Sequence, residues 1–348
     1  MAQEKVVNVF NWSDYIDKDV LEDFTKETGI KVRYDVFDSN EALETKLLAG
    51  KTGYDVVVPT GSFMQRQIQA GVFMPLDKSK IPNLKYAWPA IDKRLEVYDP
   101  GNKYSVNYMW GTTGIGYNVE KVKERLGDQP MNTWDVIFKP EILSKLADCG
   151  VYVPDGPEEL IPAAMKYLGL NPDSKNPDDI RKAGELLATI RPSIKKFDSS
   201  GYINALARGD ICLAVGWSGD VFQARDRAEE AAEKTGTEAV EIAYAIPREG
   251  ALMWFDNFAI PQDAEHVDEA LAFINYMMRP EVAAKNVNFL SYASGNLAAK
   301  EFIEPQILDN PGIYPDQETF DKLFVVTTND PKLQRVITRT WSNFKRGK

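Results

Sequence analysis

The 348-residue chain has one histidine, two cysteines and no excess of positive charge, and each shortage removes a class of function. The single histidine, His266, leaves no Ser-His-Asp or Cys-His catalytic arrangement, and its polar surroundings at a predicted helix start favour a solvent-exposed position. Asp and Glu outnumber Lys and Arg by 52 to 41, and the resulting net charge of -11 argues against nucleic-acid or anionic-membrane partners. No apolar run approaches the roughly 18 residues of a membrane-spanning helix.

Cofactor and metal motifs are also missing. Cys149 and Cys212 lack CxxC spacing and accompanying histidines, which excludes zinc and thioredoxin-like sites. They leave two alternatives, one disulfide formed in an oxidising compartment or two free thiols. Gly114-Ile115-Gly116 lacks the third glycine of a dinucleotide fingerprint, and no Walker A loop is present. We therefore expect no cofactor and no metal.

Short apolar runs alternate with amphipathic stretches, which is the pattern of an α/β protein. The predicted strands are 6–10, 31–37, 54–58, 211–216, 242–246 and 254–260. The predicted helices are 19–28, 40–49, 119–126 and 221–234. A chain of 348 residues favours two domains, and because no long linker appears, we expect the chain to cross between them.

Three tryptophans each precede an aspartate by two or three residues at an end of a predicted strand. The pairs are Trp12 with Asp14, Trp217 with Asp220, and Trp254 with Asp256. A carboxylate offers charge and hydrogen-bond acceptors to an ammonium ion, and an aromatic face adds about 0.5–2 kcal/mol of cation–π attraction. Ligands of parallel sheets bind beyond the carboxyl ends of the strands. The pattern therefore indicates a site that binds a small polycation and catalyses no reaction on it.

Each of these residues also has an ordinary structural explanation. A tryptophan at a strand end commonly fills the core, and an aspartate near a helix start commonly caps it. Glu158 and Glu159 are typical first-turn helix charges. Paired carboxylates beside tryptophan also describe a glycoside hydrolase, so a carbohydrate-active enzyme is the main enzymatic alternative. Three or more carboxylates nevertheless suit a dication better than a neutral sugar.

Longer motifs carry a resemblance that covers essentially the whole chain in order. They are NWSDYI at 11–16, YDVFDSNE at 34–41, YDVVVP at 54–59, GTTGIGYN at 111–118, GWSGD at 216–220 and RTW at 339–341. The chain resembles the polyamine-binding proteins of bacterial ABC transporters, above all the periplasmic putrescine- and spermidine-binding members. The resemblance implies a two-lobed type II periplasmic binding protein fold, each lobe a mostly parallel sheet flanked by helices, with hinge crossings.

The resemblance also implies domain boundaries. The N-terminal lobe would comprise residues 1–109 and 252–300, and the C-terminal lobe residues 112–249 and 301–348. The ligand would bind in the cleft between them. Cys149 and Cys212 would form a disulfide, and we expect no catalytic residue.

The implied binding residues form three groups. One terminal ammonium would be held by Asp14 and Asp256, with Ser13 and Thr60 nearby. The other would be served, directly or through water, by Glu159 and Asp220. The methylene chain would be boxed by Trp12, Trp217, Trp254 and Tyr292, with Tyr15, Ser62 and Ser199 lining the site.

The implied function is capture of a polyamine, putrescine or spermidine, for delivery to an inner-membrane ABC permease. We expect a periplasmic monomer that binds no nucleic acid and does not insert into the membrane. Residues 1–5 lack the apolar core of a secretory signal, as expected of a mature form with a start Met added.

Five residues depart from the family pattern, so the sequence does not decide which ligand is bound. They are Thr60, Gly61, Asn107, Asp198 and Trp254. The larger indole would shorten the site and the glycine would widen it, so agmatine, cadaverine and GABA are alternative ligands. GABA would need a donor for its carboxylate, and no Arg or Lys stands at a matched position.

Overall fold

A computed structural model describes residues 5–347 of the chain. The first four residues, to which the expectation about a secretory signal refers, and the last residue lie outside the described residues. The chain divides into two compact units, each built from two separate segments. Unit 1 is Met1–Trp110 with Trp254–Asp309, and unit 2 is Gly111–Met253 with Asn310–Lys348. No helix of the described residues is long and apolar enough to cross a membrane.

The strands are numbered in chain order. They are β1 (Val6–Trp12), β2 (Lys31–Phe37), β3 (Val56–Val57), β4 (Ser105–Asn118), β5 (Val151–Val153), β6 (Lys196–Phe197), β7 (Leu213–Trp217), β8 (Ile242–Ala245), β9 (Leu252–Ala259) and β10 (Ala293–Ser294). In unit 1, β1 lies between β2 and β3 and is parallel to both, and β9 pairs antiparallel with β3. In unit 2, β5 lies between β6 and β7 and is parallel to both, while β4 pairs antiparallel with β7 and β8.

The helices are also numbered in chain order. Those up to residue 143 are α1 (Lys18–Thr28), α2 (Asn40–Ala49), α3 (Gly61–Gln69), α4 (Pro89–Leu95), α5 (Val119–Leu126), α6 (Asp135–Phe138) and α7 (Pro140–Leu143). The later ones are α8 (Pro157–Tyr167), α9 (Pro177–Ile190), α10 (Gly201–Ala207), α11 (Ser218–Thr235), α12 (Val267–Met277), α13 (Pro280–Leu290), α14 (Pro305–Leu308), α15 (Gln317–Lys322) and α16 (Pro331–Arg346). Short 3-10 turns are Lys78–Lys80, Pro82–Tyr86, Ser144–Leu146, Arg191–Ser193 and Ala298–Glu301.

Local sequence signals explain the first βα units. Asp17 caps α1 by accepting a hydrogen bond from the backbone N–H of Asp19, and Gly29 ends the helix with a left-handed φ of 71°. The strand at 31–37 and the helices at 40–49 and 119–126 have the predicted bounds. The strand predicted at 54–58 is shorter, because only Val56–Val57 pairs with β1, although the whole run is buried.

The glycine-rich stretch at 112–118 belongs to strand β4. Two of its glycines are required by packing within unit 2. A Cβ on Gly116 would lie 2.5 Å from a methyl of Val221, and one on Gly114 would lie 2.6 Å from the Tyr244 hydroxyl. The absence of side chains therefore lets α11 and β8 pack closely on this strand.

A disulfide links Cys149 and Cys212, whose Cα atoms are 5.4 Å apart, and this prediction is confirmed. The bridge stands at the starts of two neighbouring parallel strands, because Cys149 shortly precedes β5 and Cys212 immediately precedes β7. The far ends of those strands lead to Glu159 and Trp217. The disulfide therefore ties together the two chain segments that carry the candidate binding residues of unit 2.

The position of His266 agrees with the predicted helix start but not with the predicted solvent exposure. It is the N-cap residue of α12, as its position at a predicted helix start implies. It is half-buried, and its ring Nδ1 lies 3.1 Å from the carboxylate of the buried Asp55. The expectation of a freely solvated histidine is therefore wrong, because the polar stretch around it packs over a buried carboxylate.

Candidate ligand-binding site

The clearest candidate binding group in unit 1 is the carboxylate of Asp256 on β9. It is 6% exposed, and its two oxygens accept hydrogen bonds from the hydroxyls of Tyr15 at 2.9 Å and Thr60 at 2.6 Å. No Lys, Arg or His among residues 5–347 forms an ion pair with it. Burial raises the pKa of Asp256 to about 6, against the lowering effect of the two hydroxyl bonds. The fold thus holds a buried carboxylate without a cation.

Neighbouring residues fix this carboxylate in place. Thr60 stands opposite Asp256 in an antiparallel bridge just before α3. The Asn40 side chain holds Thr60 by accepting from its backbone N–H at 3.1 Å and donating to its hydroxyl at 3.0 Å. Because that hydroxyl already accepts a bond, its own proton is directed at Asp256. The buried Asn107 amide donates to the Asp256 backbone carbonyl at 3.2 Å.

Aromatic rings adjoin the carboxylate. The ring of Tyr15 meets that of Tyr292 edge to face at 5.5 Å, and Tyr292 meets Trp254 in the same manner at 5.2 Å. Trp12, at the end of β1, donates its indole N–H to the Val58 carbonyl at 3.0 Å. We call Tyr15, Thr60, Trp254, Asp256 and Tyr292 the unit 1 cluster. Its combination of charge and rings suits an organic cation.

Other predicted residues of unit 1 lie outside these contacts. Asp14 is exposed with a left-handed φ of 52°, and its carboxylate accepts no hydrogen bond from the described residues. The Ser13 hydroxyl donates to Asp38 at 2.5 Å rather than to Asp256. Ser62 is half-buried in the first turn of α3. The expected roles of Asp14, Ser13 and Ser62 therefore stay predictions.

Gly61 does not widen the site. A Cβ at this position would lie 2.6 Å from a ring carbon of Tyr98. The space that a side chain would occupy is thus already filled by an aromatic ring of the same unit. Gly61 is explained by this packing.

In unit 2 two carboxylates stand in the first turns of separate helices. Glu159 is the third residue of α8, and Asp220 is the third residue of α11. Both are half-buried. Neither helix has a side-chain cap at its N-cap residue, so the carboxylates complement the positive ends of the helix dipoles. Glu159 also accepts a hydrogen bond from the Trp217 indole N–H at 3.2 Å.

A tyrosine that the sequence reasoning missed joins this group. The Tyr202 hydroxyl donates to Asp220 at 2.9 Å and accepts from the backbone N–H of Trp217 at 3.0 Å. We call Glu159, Tyr202, Trp217 and Asp220 the unit 2 cluster. Tyr202 lies in an apolar helix and resembles a core residue in the sequence. Its only sequence signal is the glycine at 216, which makes room for its ring.

Ser199 and Asp198 perform local structural roles. The Ser199 hydroxyl accepts from the backbone N–H of Asp155 at 2.9 Å. The carboxylate of Asp198 accepts from the backbone N–H groups of Ser200 and Gly201 at the start of α10, and it pairs with Lys196. Burial raises the pKa of Asp198, but these bonds outweigh it and the net shift is downward. A ligand contact for Ser199 stays a prediction.

Comparison with known proteins places the chain in a family. A family model described as bacterial extracellular solute-binding protein matches residues 19–315. The chain is a bacterial extracellular solute-binding protein. Within the described residues of this solute-binding protein, no group of three or more His, Cys, Asp or Glu side chains could hold a metal ion.

Individual relatives of this solute-binding protein are similar over almost their whole length. The putrescine-binding periplasmic protein SpuD of Pseudomonas aeruginosa is 52% identical over 100% of this chain and 94% of its own. The putrescine-binding periplasmic protein PotF of Escherichia coli is 51% identical over 100% and 93% of the two chains. A solved structure of a putative spermidine/putrescine ABC transporter from Listeria monocytogenes is 34% identical, with a TM-score of 0.84 over 99% and 100% of the chains.

These findings confirm two predictions. The resemblance to periplasmic polyamine-binding proteins is confirmed by the family match and by the identity with SpuD and PotF. The α/β, type II periplasmic binding protein fold is confirmed by the structural neighbours. The carbohydrate-active alternative is not favoured, since these relatives are named as putrescine-binding periplasmic proteins.

Proposed function

We propose that this solute-binding protein captures a polyamine, putrescine in the first place and spermidine as the longer alternative. The observation that carries the proposal is Asp256, a buried carboxylate whose only hydrogen bonds within residues 5–347 come from two neutral hydroxyls. Burial of an unpaired charge is costly, so a fold that retains one is prepared for a counter-charge. An organic ammonium supplies that charge, and the adjacent rings of Tyr292 and Trp254 suit its carbon chain.

In the proposed complex each cluster serves one end of the ligand. One ammonium is held by Asp256 within the unit 1 cluster, and the other by Glu159 and Asp220 in the unit 2 cluster. The methylene chain lies against Trp12, Trp217, Trp254 and Tyr292. SpuD and PotF are both named as putrescine-binding periplasmic proteins, which supports a diamine as the ligand.

The charges of the two clusters favour a dication over an ω-amino acid. Each predicted charged binding residue is an Asp or a Glu, and no Lys or Arg belongs to either cluster. A ligand carboxylate would meet a carboxylate at one end and lack a charge-assisted donor. Putrescine, cadaverine and agmatine carry a cationic group at both ends, so they fit the charges better than GABA does.

We further propose that the protein is a periplasmic monomer that delivers its ligand to an inner-membrane ABC permease and performs no chemistry. The family of extracellular solute-binding proteins supports the location. The lone histidine supports the absence of catalysis, since His266 contacts Asp55 and neither cluster. The net charge of -11 supports a cationic ligand over a nucleic acid.

A ligand panel tests this proposal. Thermal-shift screening against putrescine, spermidine, agmatine, cadaverine, GABA and a set of sugars is followed by calorimetry on each hit. We expect stabilisation by the polyamines, since a ligand that binds only the folded state raises the melting temperature. Stabilisation by sugars or by GABA alone, without a response to any polyamine, would overturn the proposal.

A further inference from the structure

Tyr202 has an unusual combination of burial and bonding within unit 2. The side chain is 0% exposed and packs in a cluster of small and aliphatic residues that includes Leu206, Ile211 and Val221. Its hydroxyl nevertheless reaches the half-buried Asp220 and the backbone N–H of Trp217. The ring thus connects the apolar interior of the unit to the polar first turn of α11.

The hydroxyl replaces a familiar capping contact. A carboxylate at the third position of a helix commonly accepts directly from the backbone N–H of the N-cap residue. In α11 these two groups are Asp220 and Trp217, and the Tyr202 hydroxyl stands between them. Because the hydroxyl accepts from Trp217, its single proton is donated to Asp220.

Two further features keep this arrangement in place. A Cβ on residue 216 would lie 2.6 Å from a ring carbon of Tyr202, so only glycine leaves room for the ring. Burial and the neighbouring Asp220 charge raise the pKa of Tyr202 well above its ordinary value, so the phenol keeps its proton. The donor aimed at Asp220 is therefore permanent at any physiological pH.

We propose that Tyr202 is a positioning residue for ligand binding, which orients the Asp220 carboxylate toward the ligand and depends on Gly216 for its own place. The inference rests on the proposed function of the same site. We infer no direct contact between Tyr202 and the ligand, because the Tyr202 side chain is 0% exposed. Its contribution acts through Asp220, because a carboxylate held by a fixed donor loses less rotamer freedom when it pairs with an ammonium.

The test is a double-mutant cycle between Tyr202→Phe and Asp220→Asn, measured by calorimetry with putrescine. Tyr202→Phe keeps the ring in the core and removes only the hydroxyl. We expect about tenfold weaker binding, the size of one hydrogen bond to a charged group. In the Asp220→Asn background the same substitution should have little further effect, since the group that it orients has been neutralised.

Controls separate positioning from general damage to the fold. Tyr244→Phe is the matched control, since Tyr244 is a half-buried tyrosine of unit 2 that packs against the same apolar cluster, and its hydroxyl bonds Thr112 rather than a carboxylate. It should leave putrescine affinity unchanged. Gly216→Ala should displace the Tyr202 ring and reproduce the affinity loss of Tyr202→Phe.

Three results would overturn the inference. They are unchanged affinity in Tyr202→Phe, equal loss in Tyr244→Phe, and additive losses across the cycle. Failure of the proposed function is distinguishable from these, because in that case the wild-type protein itself would bind no polyamine in the same calorimeter.

Discussion

The two units hold their candidate binding carboxylates in opposite ways. Asp256 of unit 1 is a strand residue buried in the interior, held by two side-chain hydroxyls. Glu159 and Asp220 of unit 2 are half-buried and stand in the first turns of helices. The unit 1 carboxylate is shielded from solvent and has no cationic partner among residues 5–347, whereas the unit 2 carboxylates are partly exposed to solvent and stand at the positive ends of helix dipoles. The difference predicts that one ligand ammonium binds strongly to Asp256 alone. The other ammonium should be shared by Glu159 and Asp220, each of which contributes less to the binding free energy.

The largest expected effect is the loss of the buried carboxylate. Asp256→Ala should weaken putrescine binding by about 2 to 5 kcal/mol, because one ligand ammonium is then desolvated without its partner. Calorimetry measures the change. Asp263→Ala is the control, since Asp263 is an exposed carboxylate of the same unit that bonds Thr52. Unchanged putrescine affinity in Asp256→Ala would contradict the assignment of the unit 1 cluster.

The second prediction concerns the covalent bridge of unit 2. Replacing both Cys149 and Cys212 by serine should lower the free energy of unfolding by about 2 to 4 kcal/mol, since the bridge restrains the unfolded chain. Hydrogen exchange should show the loss of protection in β5 and β7, because the bridge links the chain at the starts of these two strands. Because the chain contains no other cysteine, unit 1 has no equivalent bridge. An equal loss of protection in β1 would show that the bridge stabilises the whole protein rather than unit 2.

Substitution of either candidate carboxylate of unit 2 should weaken putrescine binding less than Asp256→Ala does. We expect Asp220→Asn and Glu159→Gln each to weaken putrescine binding roughly 10- to 30-fold, because partly solvated charges contribute less than buried ones. Glu158→Gln is the control, a neighbour of Glu159 in the same turn, and should bind normally. Losses as large as that of Asp256→Ala would remove the proposed difference between the two ends of the ligand.

The pH dependence of putrescine binding should arise from Asp256 in unit 1. Burial raises the pKa of Asp256 from 3.8 to about 6, and an ammonium prefers the ionised form. Putrescine affinity should therefore fall about tenfold between pH 7 and pH 5, as the carboxylate takes up a proton. Calorimetry at both pH values measures this change. In Asp256→Asn, which does not titrate, affinity should be low and nearly constant over the same range.

The free energy of unfolding of the ligand-free protein should rise as pH falls, whereas the putrescine affinity falls. Because the folded pKa of Asp256 is raised, the folded state binds more protons than the unfolded chain between about pH 4 and pH 6. This group's contribution to stability is present below pH 4 and is lost as pH rises through 6, by about 3 kcal/mol. Denaturant titrations of wild type and Asp256→Asn at pH 4 and pH 7 measure it. An equal pH dependence in both proteins would show that Asp256 is not the group responsible.

Much of the local structure was predictable from sequence, since it depends on neighbours along the chain. The capped helix that ends at Gly29 and the strand at 31–37 follow from such signals. The site was predictable only in part. The Trp-Asp pattern singled out Asp256 as a candidate, and the family resemblance added Tyr15, Thr60 and Glu159 as further candidates. Neither pointed to Tyr202, because a tyrosine among aliphatic residues has the sequence signature of an ordinary core position.

The sequence by itself determined the α/β class, the family, the acidic character of the candidate site and the residue types that it offers to an organic cation. Only the tertiary structure decided which groups act together. The Trp217 indole bonds Glu159, 58 positions away, while its sequence neighbour Asp220 bonds Tyr202. The Trp12 indole likewise bonds the Val58 carbonyl rather than Asp14. Spacing along a chain specifies local geometry, whereas the partner of a side chain depends on which distant strand and helix ends the fold brings beside it.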